Sequence, residues 1–250
     1  MTPNIQIYDT SGELVEALSR QIASLANQKD IFYLAVSGGK TPVYLFDHLA
    51  THYKDSINWQ KVKIFWVDER CVAPTHEESN FLMAQKHLLE PLAIPESNIF
   101  RMHGELDAYN EAIRYERTIR EVVPSVNQVP QFDLVLLGMG SDGHTASLFP
   151  DRIDLIDSDN LCTIAKHPQS GQLRVSFTMK LINHASHVAF LVTGADKATK
   201  VEEILGEKPE ADMYPAAYVN PQSGNLYWYL DKAAADDWEK KNILAKATRA

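Results

Sequence analysis

Phe132-Asp133-Leu134-Val135-Leu136-Leu137-Gly138-Met139-Gly140-Ser141-Asp142-Gly143-His144-Thr145-Ala146-Ser147-Leu148-Phe149-Pro150 is the stretch on which the reading of the fold turns. An apolar run too short for a helix breaks into a glycine-rich turn that presents an aspartate, a histidine and small hydroxyls. A buried parallel strand ending in such a loop puts polar side chains at the carboxyl edge of a sheet, where α/β proteins bind ligands. Of nine histidines, His144 alone is placed this way. A histidine there exchanges protons near neutral pH, so the segment reads as the working part of an enzyme.

Gly138, Gly140 and Gly143 also spell G-x-G-x-x-G after a strand, the dinucleotide fingerprint. That fingerprint needs a helix opening at the last glycine and an acid at the end of the next strand. Pro150 cuts the following segment short, and the next strand, Leu161 to Ala165, ends without an acid. The surrounding sequence therefore argues against a nicotinamide or flavin site.

The same alternation extends in both directions. Ser11 with Leu14, Val15, Leu18, Ile22 and Leu25 predicts a capped amphipathic helix. Ile31 to Val36 predicts a strand closed by Ser37-Gly38-Gly39-Lys40-Thr41-Pro42, with Pro42 in the first turn of a helix. Val62 to Val67 predicts the next strand, closed by Asp68-Glu69-Arg70; Ser79 opens a helix that Pro91 stops. Tyr109 to Val123 reads as a helix. Leu161 to Ala165, Arg174 to Thr178, Val188 to Thr193 and Leu226 to Leu230 read as strands. A helix follows Gly194-Ala195-Asp196-Lys197 as far as Leu205, and another spans Ala233 to Lys240. Strands that are nearly continuous apolar runs, alternating with helices, predict a doubly wound α/β fold: one mainly parallel sheet flanked by helices. Residues 1–250 are expected to form one domain, since Pro124 to Pro130, the most loop-like stretch, is too short for a linker.

The totals narrow the functional classes. A chain of 250 residues with 45% hydrophobic and 23% charged residues has the composition of a globular protein with a sizeable core. Lys and Arg number 24 against 33 Asp and Glu, a formal charge of −9. That balance argues against nucleic acid or an anionic membrane as partner, while leaving room for a small anion met by a local basic cluster. The two cysteines, Cys71 and Cys162, fit a reducing compartment without a disulfide framework, and Cys71 reads as an incidental free thiol. Met1 to Gly12 lacks a basic region followed by an apolar core, and no apolar run approaches the ~20 residues of a membrane span, so a cytoplasmic location is expected.

Four strand ends carry polar turns: Ser37 to Thr41, Asp68 to Arg70, Gly138 to Ser147, and Thr193 to Lys197. In a parallel sheet they share one edge and converge on one crevice. Ser37-Gly38-Gly39-Lys40-Thr41 ahead of a helix is an anion cradle, with backbone N–H groups and a helix N-terminus facing the ligand. It lacks P-loop spacing. Arg174 and Lys197 are further candidate anion ligands. His48 and His52 have i,i+4 spacing but neither the glutamate of H-E-x-x-H nor an obvious third ligand, so no metal site is expected.

Together these motifs resemble the 6-phosphogluconolactonase family, within the superfamily that also holds glucosamine-6-phosphate deaminases and ribose-5-phosphate isomerases. The resemblance spans essentially the whole chain and adds Glu78-Ser79-Asn80, Arg174-Val175-Ser176-Phe177-Thr178 and Thr193-Gly194-Ala195-Asp196-Lys197-Ala198 to the turns above. Lys40 departs from the family pattern, where serine is commoner. The resemblance implies a Rossmann-type sugar-phosphate isomerase/deaminase-like fold and hydrolysis of 6-phospho-D-glucono-1,5-lactone to 6-phosphogluconate, the second step of the oxidative pentose phosphate pathway. It implies His144 as the base that activates water, Asp142 setting its environment, and Arg70 binding substrate. Gly38 and Gly39 with Arg174 and Lys197 would hold the phosphate. No cofactor, metal or obligate protein partner is implied, only a phosphorylated sugar lactone as substrate. A deaminase or isomerase on the same scaffold, and a non-catalytic sugar-phosphate sensor, are the competing readings. In the deaminases the loop resembles D-G-H-I-A-F-N-E-P, and the position of its glutamate is Phe149 here. A serine nucleophile, Ser141 or Ser147, is the rival mechanism, but neither sits in a G-x-S-x-G elbow.

Overall fold

Alternate residues of the central strands point to opposite faces and feed two separate cores, and this period of two organises the molecule. The computed structural model describes residues 2–247. In chain order its strands are β1 (Asn4–Tyr8), β2 (Phe32–Val36), β3 (Val62–Trp66), β4 (Asp68–Arg70), β5 (Ile99–Phe100), β6 (Ser125–Val126), β7 (Val129–Pro130), β8 (Leu134–Leu137), β9 (Cys162–Lys166), β10 (Leu173–Phe177), β11 (Val188–Val192) and β12 (Leu226–Asp231). The α-helices are α1 (Ser11–Asn27), α2 (Lys40–His52), α3 (Asn80–Ala84), α4 (Ala108–Val122), α5 (Met179–Asn183), α6 (Ala198–Leu205) and α7 (Lys232–Ala247).

Seven strands form the main sheet in the order β1-β12-β11-β8-β2-β3-β5, and every neighbouring pair is parallel. Phe32, Leu34 and Val36 of β2 pack with Leu14, Leu18, Ile22, Leu45 and Phe46 of α1 and α2 on one face. Tyr33 and Ala35 join Tyr115 and Ile119 of α4, Leu181 of α5 and Val201 of α6 on the other. From β2 the chain winds outward through β3 to β5, then returns to β8 beside β2 and winds the other way through β11 and β12. The strand order reverses between β2 and β8, so the crevice beyond their carboxyl ends lies between the turns after Val36 and after Leu137. Ser37 Oγ ties the two together there, donating to the Leu136 carbonyl at 2.8 Å.

The doubly wound parallel sheet matches expectation; several local readings do not. Asp68–Arg70 is a strand rather than a closing turn, and the strands read at Leu161–Ala165 and Arg174–Thr178 lie outside the main sheet. They form an antiparallel sheet in the order β4-β10-β9. Only four residues, Pro168 to Gly171, lie between His167 and Gln172, whose backbones close the β9–β10 connection (2.9 Å). So short a connection makes a hairpin, whereas a parallel crossover needs about a dozen residues. The helix at the N-terminus is capped by Thr10 rather than Ser11: Thr10 Oγ1 accepts from Glu13 N, and Glu13 Oε2 accepts from Thr10 N, each at 3.2 Å. β1 and β5 lie beyond the strands that the sequence pattern predicts. The 124–130 stretch forms the β6–β7 ribbon, turned by Asn127 and Gln128 at positive φ. No helix among the described residues is long and apolar enough to cross a membrane.

Candidate active site

A cavity of ≈ 190 Å³ opens at the switch point, lined by Ser37, Gly38, Gly39, Asp68, Arg70, Asn80, Gly138, Met139, Gly140, His144, Ala146 and Arg174. It is smaller than the roughly 300–1,000 Å³ of pockets for drug-sized ligands, which suits one small molecule better than a dinucleotide. Three of the four polar strand ends meet in it. The fourth reaches the 37–41 turn from the side: Thr193 Oγ1 and Thr41 Oγ1 are 3.0 Å apart. Lys197 pairs with Asp196 at 2.9 Å and does not line the cavity. Lys40 and Thr41 belong to the first turn of α2, and Lys40 is exposed.

No helix opens at Gly143. The chain instead folds back, with Gly143 N donating to Gly140 O (3.1 Å) and Gly140 N to His144 O (2.9 Å). A Cβ on Gly140 would lie 2.2 Å from His144 Nδ1 and 2.5 Å from Asp142 Oδ1, so the absence of a side chain lets those groups close over the backbone. They meet at 2.6 Å, His144 Nδ1 against Asp142 Oδ1, and the same carboxylate accepts the His144 N–H at 3.1 Å. Burial pushes the Asp142 carboxyl upward, but the hydrogen bond and charge of His144 and the backbone N–H groups outweigh it and hold the group at about 2. An ionised carboxylate only accepts, so Nδ1 carries the proton and Nε2 is left as the basic nitrogen. The ring's other neighbour is Phe149, centroids 4.8 Å apart. Ala146, on the cavity wall, holds φ +52, a left-handed conformation that is uncommon for a residue with a Cβ.

The second sheet supplies the cations. Its register sets Arg174 directly opposite Arg70, so two guanidinium groups share one face. Like charges in that relation destabilise a sheet, and a bound anion reverses the sign. Both Nε atoms are buried without a hydrogen-bond partner among the described residues. Burial pushes the Arg174 guanidinium down and Arg70 adds to this, against Asp68, whose Oδ2 stands 3.9 Å from Arg174 Nη1. Arg70 Nη1 donates to the Glu78 carbonyl.

Two further polar side chains line the cavity, Asp68 and Asn80, which the sequence motifs do not mark as ligands. Asp68 is 5% exposed and accepts from Ser147 Oγ at 2.6 Å; its carbonyl accepts from Asn80 Nδ2 at 2.9 Å. Asn80 stacks against the Gly38 turn, where a Cβ would lie 1.8 Å from Asn80 Oδ1. Buried Glu69 fixes this arrangement, accepting from the backbone N–H groups of Asn80 and Phe81 and from Ser79 Oγ at 2.8–3.0 Å. The signal available in the sequence is the acidic pair Asp68-Glu69 directly after a buried strand, followed ten residues beyond Glu69 by the helix-capping Ser79. Ser147 is fully buried with its hydroxyl on Asp68, and Ser141 is exposed, so neither serine is set up as a nucleophile by His144. Cys71 is no activated thiol either. Burial first, then Glu69, Glu111 and Asp107, push it up to about 11. His48 Nε2 is bonded to Glu16 Oε2 at 2.8 Å, and no group of three or more metal-ligating side chains occurs among the described residues.

An open parallel sheet with glycine turns at its switch point, a histidine–aspartate pair on one side and facing arginines on the other is the layout of an α/β enzyme with a small, cation-walled cleft. The family of Glucosamine-6-phosphate isomerases/6-phosphogluconolactonase matches residues 8–228, and the chain belongs to it. A 6-phosphogluconolactonase of Haemophilus influenzae is 41% identical over 228 residues, spanning 91% of this chain and 96% of its own. The crystal structure of devB protein superposes with a TM-score of 0.90 at 41% identity, covering 94% of this chain and 99% of that one. The 6-phosphogluconolactonase of Leishmania guyanensis superposes with a TM-score of 0.84 at 29% identity, covering 94% and 98%.

Proposed function

We propose that the protein hydrolyses 6-phospho-D-glucono-1,5-lactone to 6-phosphogluconate in the cytoplasm, with His144 as general base. The observation that carries this reading is the 2.6 Å contact of Asp142 with His144 Nδ1, which leaves Nε2 basic inside a cleft walled by Arg70 and Arg174. Family membership and the lactonase relatives support the substrate.

Nε2 takes a proton from water as the water oxygen bonds to the lactone carbonyl carbon. The carbonyl oxygen becomes an oxyanion facing the cationic wall, where Arg70 stabilises the charge. When the tetrahedral intermediate collapses, the bond from that carbon to the ring oxygen breaks and the imidazolium returns its proton to the departing alkoxide. A lactone is already an activated ester, so positioning and one base suffice, and a histidine base is worth ~10²–10⁴-fold. Asp142 fixes the tautomer and supports the imidazolium. The phosphate is held by the Ser37-Gly38-Gly39-Lys40-Thr41 turn at the start of α2 and by Arg174 from the cleft wall; Lys197, paired with Asp196 outside the cavity, is left out of this set. The glycine backbone recognises the anion, so Lys40 in place of serine leaves this role intact.

The test is His144→Ala, assayed by coupling product to 6-phosphogluconate dehydrogenase and subtracting spontaneous hydrolysis. kcat should fall by ~10²-fold or more with folding retained. A well-folded variant with near-normal kcat removes His144 from the role.

A further inference from the structure

The turn carrying Asp142 and His144 is braced from behind by a side chain outside the cavity. Tyr214 lies between two 3₁₀ turns, Pro209–Met213 and Pro215–Tyr218, and is 9% exposed. Its ring packs directly on Gly143, where a Cβ would come within 2.6–2.8 Å of Tyr214 Cγ, Cβ and Cδ1. Gly143 holds φ +85, and its carbonyl accepts from Ala216 N at 3.1 Å. The peptide between Asp142 and His144 is thus clamped by a ring on one side and a backbone hydrogen bond on the other. The ring is itself held. Lys200 of α6 places its ammonium 4.2 Å from the ring centroid and donates to the Tyr214 hydroxyl and to Glu203 Oε2, the latter at 2.8 Å. The helix whose first turn follows Lys197 is therefore connected through Lys200 and Tyr214 to the residue between Asp142 and His144.

From this geometry we infer that Tyr214 is a positioning residue for the reaction, holding the Asp142–His144 pair in place through Gly143, with Lys200 fixing the ring. The inference rests on the reading of His144 as base. Tyr214 touches no substrate in this account; its contribution is the alignment of Nε2 with the attacking water. Misplacement of a catalytic group by about 1 Å costs up to ~10²-fold in rate, while ground-state binding at the arginine wall is left alone.

The experiment compares Tyr214→Ala and Tyr214→Phe in the full chain, alone and in the His144→Ala background, with kcat and KM for the lactone and thermal unfolding as readouts. Tyr214→Ala should lower kcat by roughly 10- to 100-fold with KM within about twofold, and Tyr214→Phe, which keeps the ring on Gly143, should recover most of that loss. In the His144→Ala background Tyr214→Ala should lower kcat no further, because the group it positions is gone. A folded Tyr214→Ala enzyme with unchanged kcat, a loss confined to KM, or full additivity with His144→Ala overturns the inference. Near-normal kcat for His144→Ala alone instead overturns the base assignment, so the two failures are distinguishable. Should Tyr214→Ala not fold, Tyr214→Leu is compared with Tyr214→Phe, and equal kcat in those two variants overturns the inference.

Discussion

Arg174→Met is the substitution whose outcome the cleft geometry constrains most tightly. The Arg174 side chain is 12% exposed, burial already pushes its pKa down, and its Nε has no hydrogen-bond partner among the described residues. If Arg174 binds the substrate phosphate as proposed, the charged hydrogen bonds between them are worth ~1.5–3 kcal/mol. At 1.36 kcal/mol per decade, its removal should weaken 6-phosphogluconate binding by roughly 10- to 150-fold. Stability should barely move. The variant loses a 3.9 Å pairing with Asp68, a 3.5 Å contact with Ser147 Oγ and the packing over the Phe149 ring, but also the opposition to Arg70, and Asp68 keeps Ser147 Oγ at 2.6 Å. These terms oppose one another, each at about 1 kcal/mol or less. Calorimetric titration of wild type and variant with 6-phosphogluconate and with gluconate, at one ionic strength, reads the effect. The loss belongs to the phosphorylated ligand. An equal proportional loss on both ligands, or less than threefold on 6-phosphogluconate, refutes the reasoning.

Asp142 and acid stability come next. Its folded value of about 2 lies below the ~4 of an unfolded aspartate, so its contribution is present above pH ~4 and is lost as pH falls towards 2. The difference in urea midpoint between wild type and Asp142→Asn should therefore shrink from pH 5 to pH 2.5, and a constant difference contradicts the assignment. Cys71, raised to about 11, stays protonated at pH 8, so a thiol reagent should label the native protein far more slowly than the unfolded chain. Rapid native labelling at Cys71, located by peptide mapping, counts against that environment. Phe149 stands against the His144 ring where a deaminase-type loop carries a glutamate, and it cannot titrate. The enzyme should accordingly release no appreciable ammonia from glucosamine 6-phosphate while opening the lactone; robust deamination without lactone opening reverses the reading.

The parallel sheet was legible because its inner strands are apolar on both faces, and the turns after Val36 and Leu137 were legible because glycine and polar residues interrupt those runs abruptly. β1 and β5 escaped for the opposite reason. Asn4-Ile5-Gln6-Ile7-Tyr8 is an edge strand half open to solvent, and Ile99-Phe100 is only two residues long. The second sheet was hidden in a different way. Leu161–Ala165 is a mostly apolar run, and Arg174-Val175-Ser176-Phe177-Thr178 alternates polar with apolar residues as an antiparallel strand does, but periodicity does not say which sheet a strand joins. The facing of Arg70 and Arg174 is a matter of register across more than a hundred residues, which no local pattern encodes. Asp68 and Asn80 were missed because their partners, Ser147 and Gly38, are likewise distant in sequence. The brace at Gly143 depends on a tyrosine seventy-one residues further along, with nothing in its own neighbourhood to mark it.

Val67, which carries no chemistry of its own, is the seam of the molecule. Its N–H donates to Val36 O of the parallel sheet at 2.9 Å, and its carbonyl accepts from Phe177 N of the antiparallel sheet at 2.7 Å. The histidine half of the site is mounted on one side of this peptide and the arginine half on the other. A disturbance at Val67 that leaves both sheets intact tilts one half against the other, so the enzyme would keep its fold and each of its groups while their spacing drifts. The residue that sets the gauge of the active site is thus an aliphatic one with no functional group, and its failure would look like poor catalysis in a sound protein.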